Sequence, residues 1–260
     1  MNDQTNSNEA RDKTTGNTIL ITGEDSGIGR ELARRFHDRG DTVVVAGRRE
    51  GALRETISGR ERMTAVVVDV EDPAALTAFA TKVVCDHPAL NVLIKNAGIM
   101  RNEALAASRD LKDAEETIAT NVLGPIRLTN ALIDHLSQQP DAAIVNVTSG
   151  LAFVPLASHP TYLATKAAMH SYTQSLRHQL AGKVEVIELA PPAVQTDLTP
   201  GQATREGYMP LDDFIGETMT LFERQPTAPE ILVERVRLLR NAEAEGRFAE
   251  TFAMLNPATS

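Results

Sequence analysis

Short runs of β-branched and aliphatic residues alternate with longer amphipathic stretches along this 260-residue chain, and that alternation restricts the fold more than any other feature. The runs are Thr18–Thr22, Thr42–Ala46, Ala65–Val70, Val92–Ile94, Ala143–Val147 and Val184–Leu189. Most are apolar at every position. A strand with one wet face alternates in polarity, whereas one covered on both faces does not. Between the runs, Gly27–Arg39, Glu50–Ser58, Pro73–Asp86, Asp113–Gln138 and Thr161–Leu180 carry helical patterns. This β-α repeat predicts an α/β fold, a doubly wound parallel sheet with helices on both faces and right-handed crossovers. Late prolines break the rhythm between Pro191 and Pro229, where a long loop with short helices, a lid over about 195–225, is expected. A helix over Pro229–Ala244 then closes the chain.

Composition narrows the function classes. With 42% hydrophobic residues, 4% aromatic and no Trp, the core must be aliphatic. The single cysteine, Cys85, excludes an internal disulfide framework and a cysteine-cluster metal site, as suits a reducing cytoplasm. Its helical setting beside Val83 and Val84 predicts a buried thiol. Thirty-five acidic against 26 basic residues leave a net charge of −9, without the basic footprint of a nucleic-acid binder. An anionic ligand must therefore be held by local geometry against the global field. No run approaches the ~18 apolar residues of a membrane span. Met1–Thr15 is polar and lacks a signal-peptide core, so it reads as a disordered arm (1–15) before one domain (16–260) of a cytoplasmic protein.

The first run ends in Thr22-Gly23-Glu24-Asp25-Ser26-Gly27-Ile28-Gly29-Arg30 and passes straight into a helix. Glycines suit this place because the turn is tight and the backbone must approach a pyrophosphate, while the helix start offers free N–H groups and partial positive charge. Gly23, Ser26, Gly27, Ile28 and Gly29 are thus candidate dinucleotide contacts, although such a string also serves as a plain strand-to-helix turn. No G-K-[ST] follows, which excludes a Walker-type loop. The second run ends in Ala46-Gly47-Arg48-Arg49. An acid here would favour NAD through the ribose 2′-OH, and a cation accommodates the 2′-phosphate of NADP. Arg48 therefore points to NADP(H), unless both arginines are only solvated charges at a strand end. Glu24 and Asp25 argue the other way and keep NAD(H) as the alternative.

Asn146-Val147-Thr148-Ser149 ends the fifth run, Tyr162 follows thirteen residues after Ser149, and Lys166 lies one helical turn beyond. Tyr162 and Lys166 share a helix face, with Cβ atoms roughly 6 Å apart. A phenol can give the proton that a reduced carbonyl needs, and a neighbouring ammonium would lower its ordinary pKa of about 10. The Ser149 hydroxyl can stabilise charge on the substrate oxygen. A lone Y-x-x-x-K is common on helix faces; Ser149 at a strand end is what makes the set distinctive.

Together these residues resemble the short-chain dehydrogenase/reductase family over Asn17 to about Thr196, with the T-G-x-x-x-G-x-G spacing of its Rossmann-type fold. The resemblance implies a hydride-transferring oxidoreductase that interconverts a small carbonyl and alcohol. Asn121, Ser149, Tyr162 and Lys166 would be its catalytic set, Asn121 as the fourth member holding a water in a proton relay through Lys166. It further implies that Asp69 and Val70 contact the adenine, and that Asn96, Ala97 and Gly98 support the sheet and the nicotinamide ribose, which Lys166 grips. Pro191, Val194 and Thr196 would bind the carboxamide, with Pro192 replacing the usual glycine. A homodimer or homotetramer is implied through the two long helices, with neither nucleic acid nor membrane as partner. The tail (PLDDFIGETM, ILVERVRLLR, TFAMLN) resembles a bacterial oxidoreductase subgroup named for D-alanine transfer to teichoic acid. The usual glycine-rich last strand is missing from Gly246–Ser260, and Lys95 stands where the family often has Asn. An alternative is a non-catalytic NADP(H) sensor, though a complete catalytic set would serve it no purpose. None of the six histidines has metal-site spacing; Glu31, Asp38 and Asp41 read as a solvated face.

Overall fold

The computed structural model describes residues 15–23 and 27–257. Glu24, Asp25 and Ser26 in the glycine loop, and nearly all of the expected N-terminal arm, lie outside the described residues. Seven strands form one parallel sheet: β1 (Thr18–Thr22), β2 (Thr42–Gly47), β3 (Met63–Val67), β4 (Leu90–Lys95), β5 (Ala143–Val147), β6 (Glu185–Leu189) and β7 (Glu230–Ile231). Their order is β3-β2-β1-β4-β5-β6-β7. The order reverses between β1 and β4, so the crevice where ligands bind such sheets opens beyond the carboxyl ends of those two strands.

The helices are α1 (Gly27–Asp38), α2 (Glu50–Ile57), α3 (Pro73–Asp86), α4 (Lys112–Ile118), α5 (Gly124–Leu136), α6 (Pro160–Gln179), α7 (Leu211–Phe222), α8 (Arg237–Arg240) and α9 (Phe248–Leu255). Continuous apolar strands are explained by two core layers. Ile19, Ile21, Val43, Val45 and Ile94 pack on one face with Leu32 and Phe36 of α1 and Phe214 and Ile215 of α7. Leu20, Val44, Leu93 and Ile144 pack on the other with Leu76, Phe79 and Val83 of α3 and Leu128 and Leu132 of α5. Successive residues thus serve opposite layers. The start of α3 is fixed by Asp72, whose carboxylate accepts from Ala74 N (2.9 Å) and Ala75 N (3.1 Å), with Pro73 in the first turn.

Several expectations are corrected. The segment expected as one helix over Asp113–Gln138 is broken by a π turn at Ala119–Leu123. Pro125 has no N–H to give the Asn121 carbonyl four residues back, so the α ladder cannot run through unchanged. The helix expected over Pro229–Ala244 instead begins with β7, whose Glu230 and Ile231 pair with Glu188 and Leu189. Pairing covers an otherwise open β6 edge, a tertiary gain that outweighs local helical pattern. The third strand ends at Val67, short of Val70. Of the stretch expected as a lid, Leu211–Phe222 is the core helix α7, with Met209 and Met219 buried in the same layer. Cys85 is exposed. The buried positions of α3 are Leu76, Phe79, Ala80 and Val83, and Cys85 falls off that face. Asp41 is buried, not solvated, and accepts from Asn17 N at 2.9 Å.

Ile118 and Leu123 stand exposed at the end of α4 and in the π turn, within the stretch expected at a subunit contact, and Leu111 is exposed just before α4. Among the described residues no helix is long and apolar enough to cross a membrane.

Candidate active site

One cleft runs along the carboxyl ends of β1, β2, β4 and β5. Gly23, Gly27, Ile28, Arg48, Val70, Asn96, Ala97, Gly98, Ser149, Tyr162, Lys166, Pro191, Val194 and Thr196 all line it. These include most of the positions singled out from sequence. Three do not line it: Gly29 is buried in α1, Asp69 turns its carboxylate to Glu71 N (3.0 Å), and Asn121 lies behind the wall. Ser26 lies outside the described residues.

At the cleft's inner end, β5 delivers Ser149 in extended conformation, and its Oγ accepts from Leu151 N at 3.1 Å. Pro160 opens α6, which places Tyr162 in its first turn and Lys166 one turn later. The Tyr162 hydroxyl lies beside the Ser149 side chain. Lys166 Nζ lies 5.6 Å from the Tyr162 ring centroid and donates to Val147 O at 2.9 Å. Electrostatics here departs from the expectation that the amine lowers the phenol. Burial pushes Tyr162 up to about 12, opposed only by the Ser149 side chain, and pushes Lys166 down to about 8. In a dry site desolvation disfavours both charged forms and outweighs their mutual attraction.

Asn121 sits in the π turn and ties three segments together. Its Oδ1 accepts from Ile99 N (2.9 Å), while Nδ2 donates to Ile99 O (2.9 Å) and Thr165 Oγ1 (3.1 Å). A Cβ on Gly98 would meet Asn121 Oδ1 at 3.3 Å and Lys166 Nζ at 3.7 Å, so glycine keeps that space open. Opposite, Asn96 Nδ2 donates to Gly23 O at 2.7 Å, and the two strand ends approach so closely that a Cβ on Gly23 would sit 2.5 Å from Ala97 Cα. The start of α1 opens into the cleft beside Thr196. At the outer end Arg48 Nη1 lies 3.4 Å from Glu71 Oε1.

The charge of Lys95 goes inward. Its Nζ donates to Pro125 O (3.3 Å) and to Thr129 Oγ1, over the Tyr172 ring. Burial pushes this amine from 10.5 down to about 7. Below pH about 7 the lysine is charged both folded and unfolded, and the full cost of burying that charge falls on the folded state. Between there and 10.5 the unfolded chain binds the extra proton, so the cost declines as pH rises. Lys95→Met is therefore expected to stabilise the protein by about 1–4 kcal/mol at neutral pH. Thr129 keeps its own acceptor, Pro125 O at 2.8 Å. Thermal melts at several pH values check this: the gain should fade toward pH 10.5, and a loss of stability at pH 7 would contradict it.

Comparison with known proteins decides the family. The family model described as short chain dehydrogenase matches residues 17–207. The chain belongs to that family. Within the short-chain dehydrogenases it is 43% identical over 197 residues to the uncharacterized oxidoreductase DltE of Bacillus subtilis, covering 75% of this chain and 78% of that protein. The subgroup suggested by the sequence is thereby borne out as kinship with DltE. A short chain dehydrogenase from Burkholderia cenocepacia in complex with NADP superposes with a TM-score of 0.77 at 23% identity, covering 93% of this chain and 98% of that one. The 3-ketoacyl-(acyl-carrier-protein) reductase of Brucella melitensis complexed with NADH gives 0.74 at 27% identity, covering 83% and 93%.

Sequence reasoning did not single out Val68, Glu71, Ile99 or Thr120, which also line the cleft, whereas Leu198 and Gln202 fall in the stretch expected as a lid. Glu71 lies two residues past Asp69 and was within reach. Gln202 is buried, and its Nε2 fastens Val194 O (2.8 Å) and Thr196 Oγ1 (3.0 Å). Behind the site, Glu188 is buried between Thr148 Oγ1 (2.6 Å) and His170 Nδ1 (2.8 Å). With Glu230 these form a His-Glu-Glu group that could hold a metal ion, yet Arg240 already grips Glu230 through two bonds of 2.9 and 3.0 Å.

Proposed function

We propose that this short-chain dehydrogenase is an NADP(H)-dependent oxidoreductase that interconverts a carbonyl and an alcohol. The observation that carries it is one cleft with a buried phenol, hydroxyl and amine at its inner end and Arg48 at its outer end. The residues present fit a dinucleotide, because glycine at 98 keeps space open beside Asn121 and Lys166, and glycine at 23 lets the ends of β1 and β4 meet at the cleft. The end of β1 and the start of α1, with Gly23, Gly27 and Ile28, would hold the pyrophosphate, Ser26 belongs with them by its position in the sequence, and Gly29 would pack behind them inside α1. Arg48 would take the 2′-phosphate, Asp69 and Val70 would flank the adenine, and Asn96, Ala97 and Gly98 would support the nicotinamide ribose, with Lys166 gripping it. Pro191, Val194 and Thr196 would meet the carboxamide.

When bound, the nicotinamide supplies the hydride. Ser149 directs its hydroxyl at the substrate oxygen as negative charge grows there. Tyr162 is a neutral phenol throughout the physiological range, since burial holds it near 12, and so it has a proton to give that oxygen. Lys166, near 8, is the adjacent group able to restore that proton. Asn121 is a positioning residue that holds the Ile99 backbone against Thr165 on α6.

Arg48 and the NADP-bound relative support the NADP(H) assignment. Two observations favour NAD(H): Glu71 already faces Arg48, and the 3-ketoacyl-(acyl-carrier-protein) reductase neighbour is complexed with NADH. Titration of the full chain with each reduced cofactor, followed by dihydronicotinamide fluorescence, tests the preference. NADPH is expected to bind roughly tenfold more tightly, as one charge-assisted contact would give. Tighter NADH binding would overturn the role given to Arg48. A protein that only senses the cofactor would have no use for a phenol held neutral beside a hydroxyl.

A further inference from the structure

We propose that Glu71 sets the cofactor preference of the cleft by competing with a 2′-phosphate for Arg48. This rests on the dinucleotide reading given above. Arg48 is more than half exposed, and among the described residues its ion pair is a single contact, Nη1 to Glu71 Oε1 at 3.4 Å. Glu71 is far more firmly held. Its N–H donates to Asp69 Oδ1 (3.0 Å), its carbonyl accepts from Arg127 Nη1 (3.1 Å), and Thr120 Oγ1 donates to the same Oε1 at 2.6 Å. Both residues and Thr120 line the cleft. A fixed carboxylate therefore stands at the place where the cation would meet a phosphate.

The two cofactors feel this carboxylate differently. A 2′-phosphate carries close to two negative charges; it must draw Arg48 away from Glu71 and is itself repelled by the carboxylate. A free 2′-hydroxyl has no such conflict, because it can donate to a carboxylate and leave the ion pair in place. Glu71 thus narrows the advantage that Arg48 confers on NADPH, and it acts on that cofactor alone. Exposed ion pairs are weak, so the effect is graded rather than absolute.

Glu71→Gln tests this, since the amide keeps an acceptor for Thr120 while removing the charge. Wild type, Glu71→Gln, Arg48→Ala and the double variant are titrated with NADPH and with NADH by isothermal calorimetry, and no turnover is needed. NADPH is expected to bind about three- to tenfold more tightly to Glu71→Gln, with NADH changed less than about twofold. In the Arg48→Ala background the gain should shrink by at least half. Equal changes for both cofactors, or unchanged NADPH affinity, would overturn the role of Glu71 while leaving the dinucleotide reading intact. Failure of the wild type to bind either cofactor would instead overturn that reading, and this inference with it.

Discussion

Tyr162→Phe is expected to lower carbonyl turnover by roughly 10²–10⁴-fold, the range for losing a positioned proton donor. Phenylalanine fills the same volume in the first turn of α6 and removes only the hydroxyl that meets Ser149. Ser149 keeps its bond from Leu151 N, and Lys166 keeps Val147 O, so the surrounding wall should persist. Cofactor affinity should therefore change by less than about threefold, a shift of under 1 kcal/mol. The loss should appear in kcat, because the proton is given only as charge develops on the substrate oxygen. Steady-state kinetics beside a cofactor titration separates these terms. Undiminished kcat would remove Tyr162 from the chemistry.

The second large effect is structural. Gly23→Ala would place a methyl group 2.5 Å from Ala97 Cα and 2.7 Å from Ala97 N, both backbone atoms that cannot swing aside. The residue also has φ +73°, where an L side chain is strained by about 1–2 kcal/mol. Adding an overpacking cost of about 1–3 kcal/mol gives a total loss of about 2–5 kcal/mol. The ends of β1 and β4 must then part, stretching the Asn96 Nδ2 bond to Gly23 O and closing part of the cleft. NADPH affinity should fall by roughly a hundredfold, which corresponds to about 2.7 kcal/mol. Gly59→Ala provides the control. Its φ is +72° but nothing lies within 4 Å of the new methyl group, so only the conformational strain should register. Melting curves of the two variants check the difference; equal destabilisation would mean that the close approach of the strands is unimportant.

How far the sequence revealed this molecule depended on whether local pattern and tertiary packing agreed. The strands β1 and β5 and the helix α3 fall where the apolar runs and the helical pattern over Pro73–Asp86 place them, because neighbours on both sheet faces demand what the pattern offers. β7 was not legible: two residues are drawn into the sheet by the open edge of β6, a fact about partners far away in sequence. The π turn was hidden for a related reason, since Pro125 sat inside an otherwise good helical period.

In the site, the constellation of Ser149, Tyr162 and Lys166 was readable because strand end and helix spacing fix it locally. The direction of the tyrosine shift was not. Spacing places an amine near a phenol, but only the packed structure reveals how completely both are removed from water. Glu71 shows the same limit. Arg48 reads from sequence as a free cation at a strand end, and its carboxylate partner comes from the loop after β3.

The most direct test follows NADPH oxidation by the purified wild-type chain across a panel of aldehydes and ketones. At least one carbonyl should drive stoichiometric conversion of NADPH to NADP⁺ with formation of the matching alcohol, and Tyr162→Phe should slow that conversion by roughly 10²–10⁴-fold. A wild type that binds NADPH firmly yet oxidises it with no carbonyl, or one whose turnover is indifferent to the loss of the phenol, would contradict hydride transfer coupled to a proton from Tyr162.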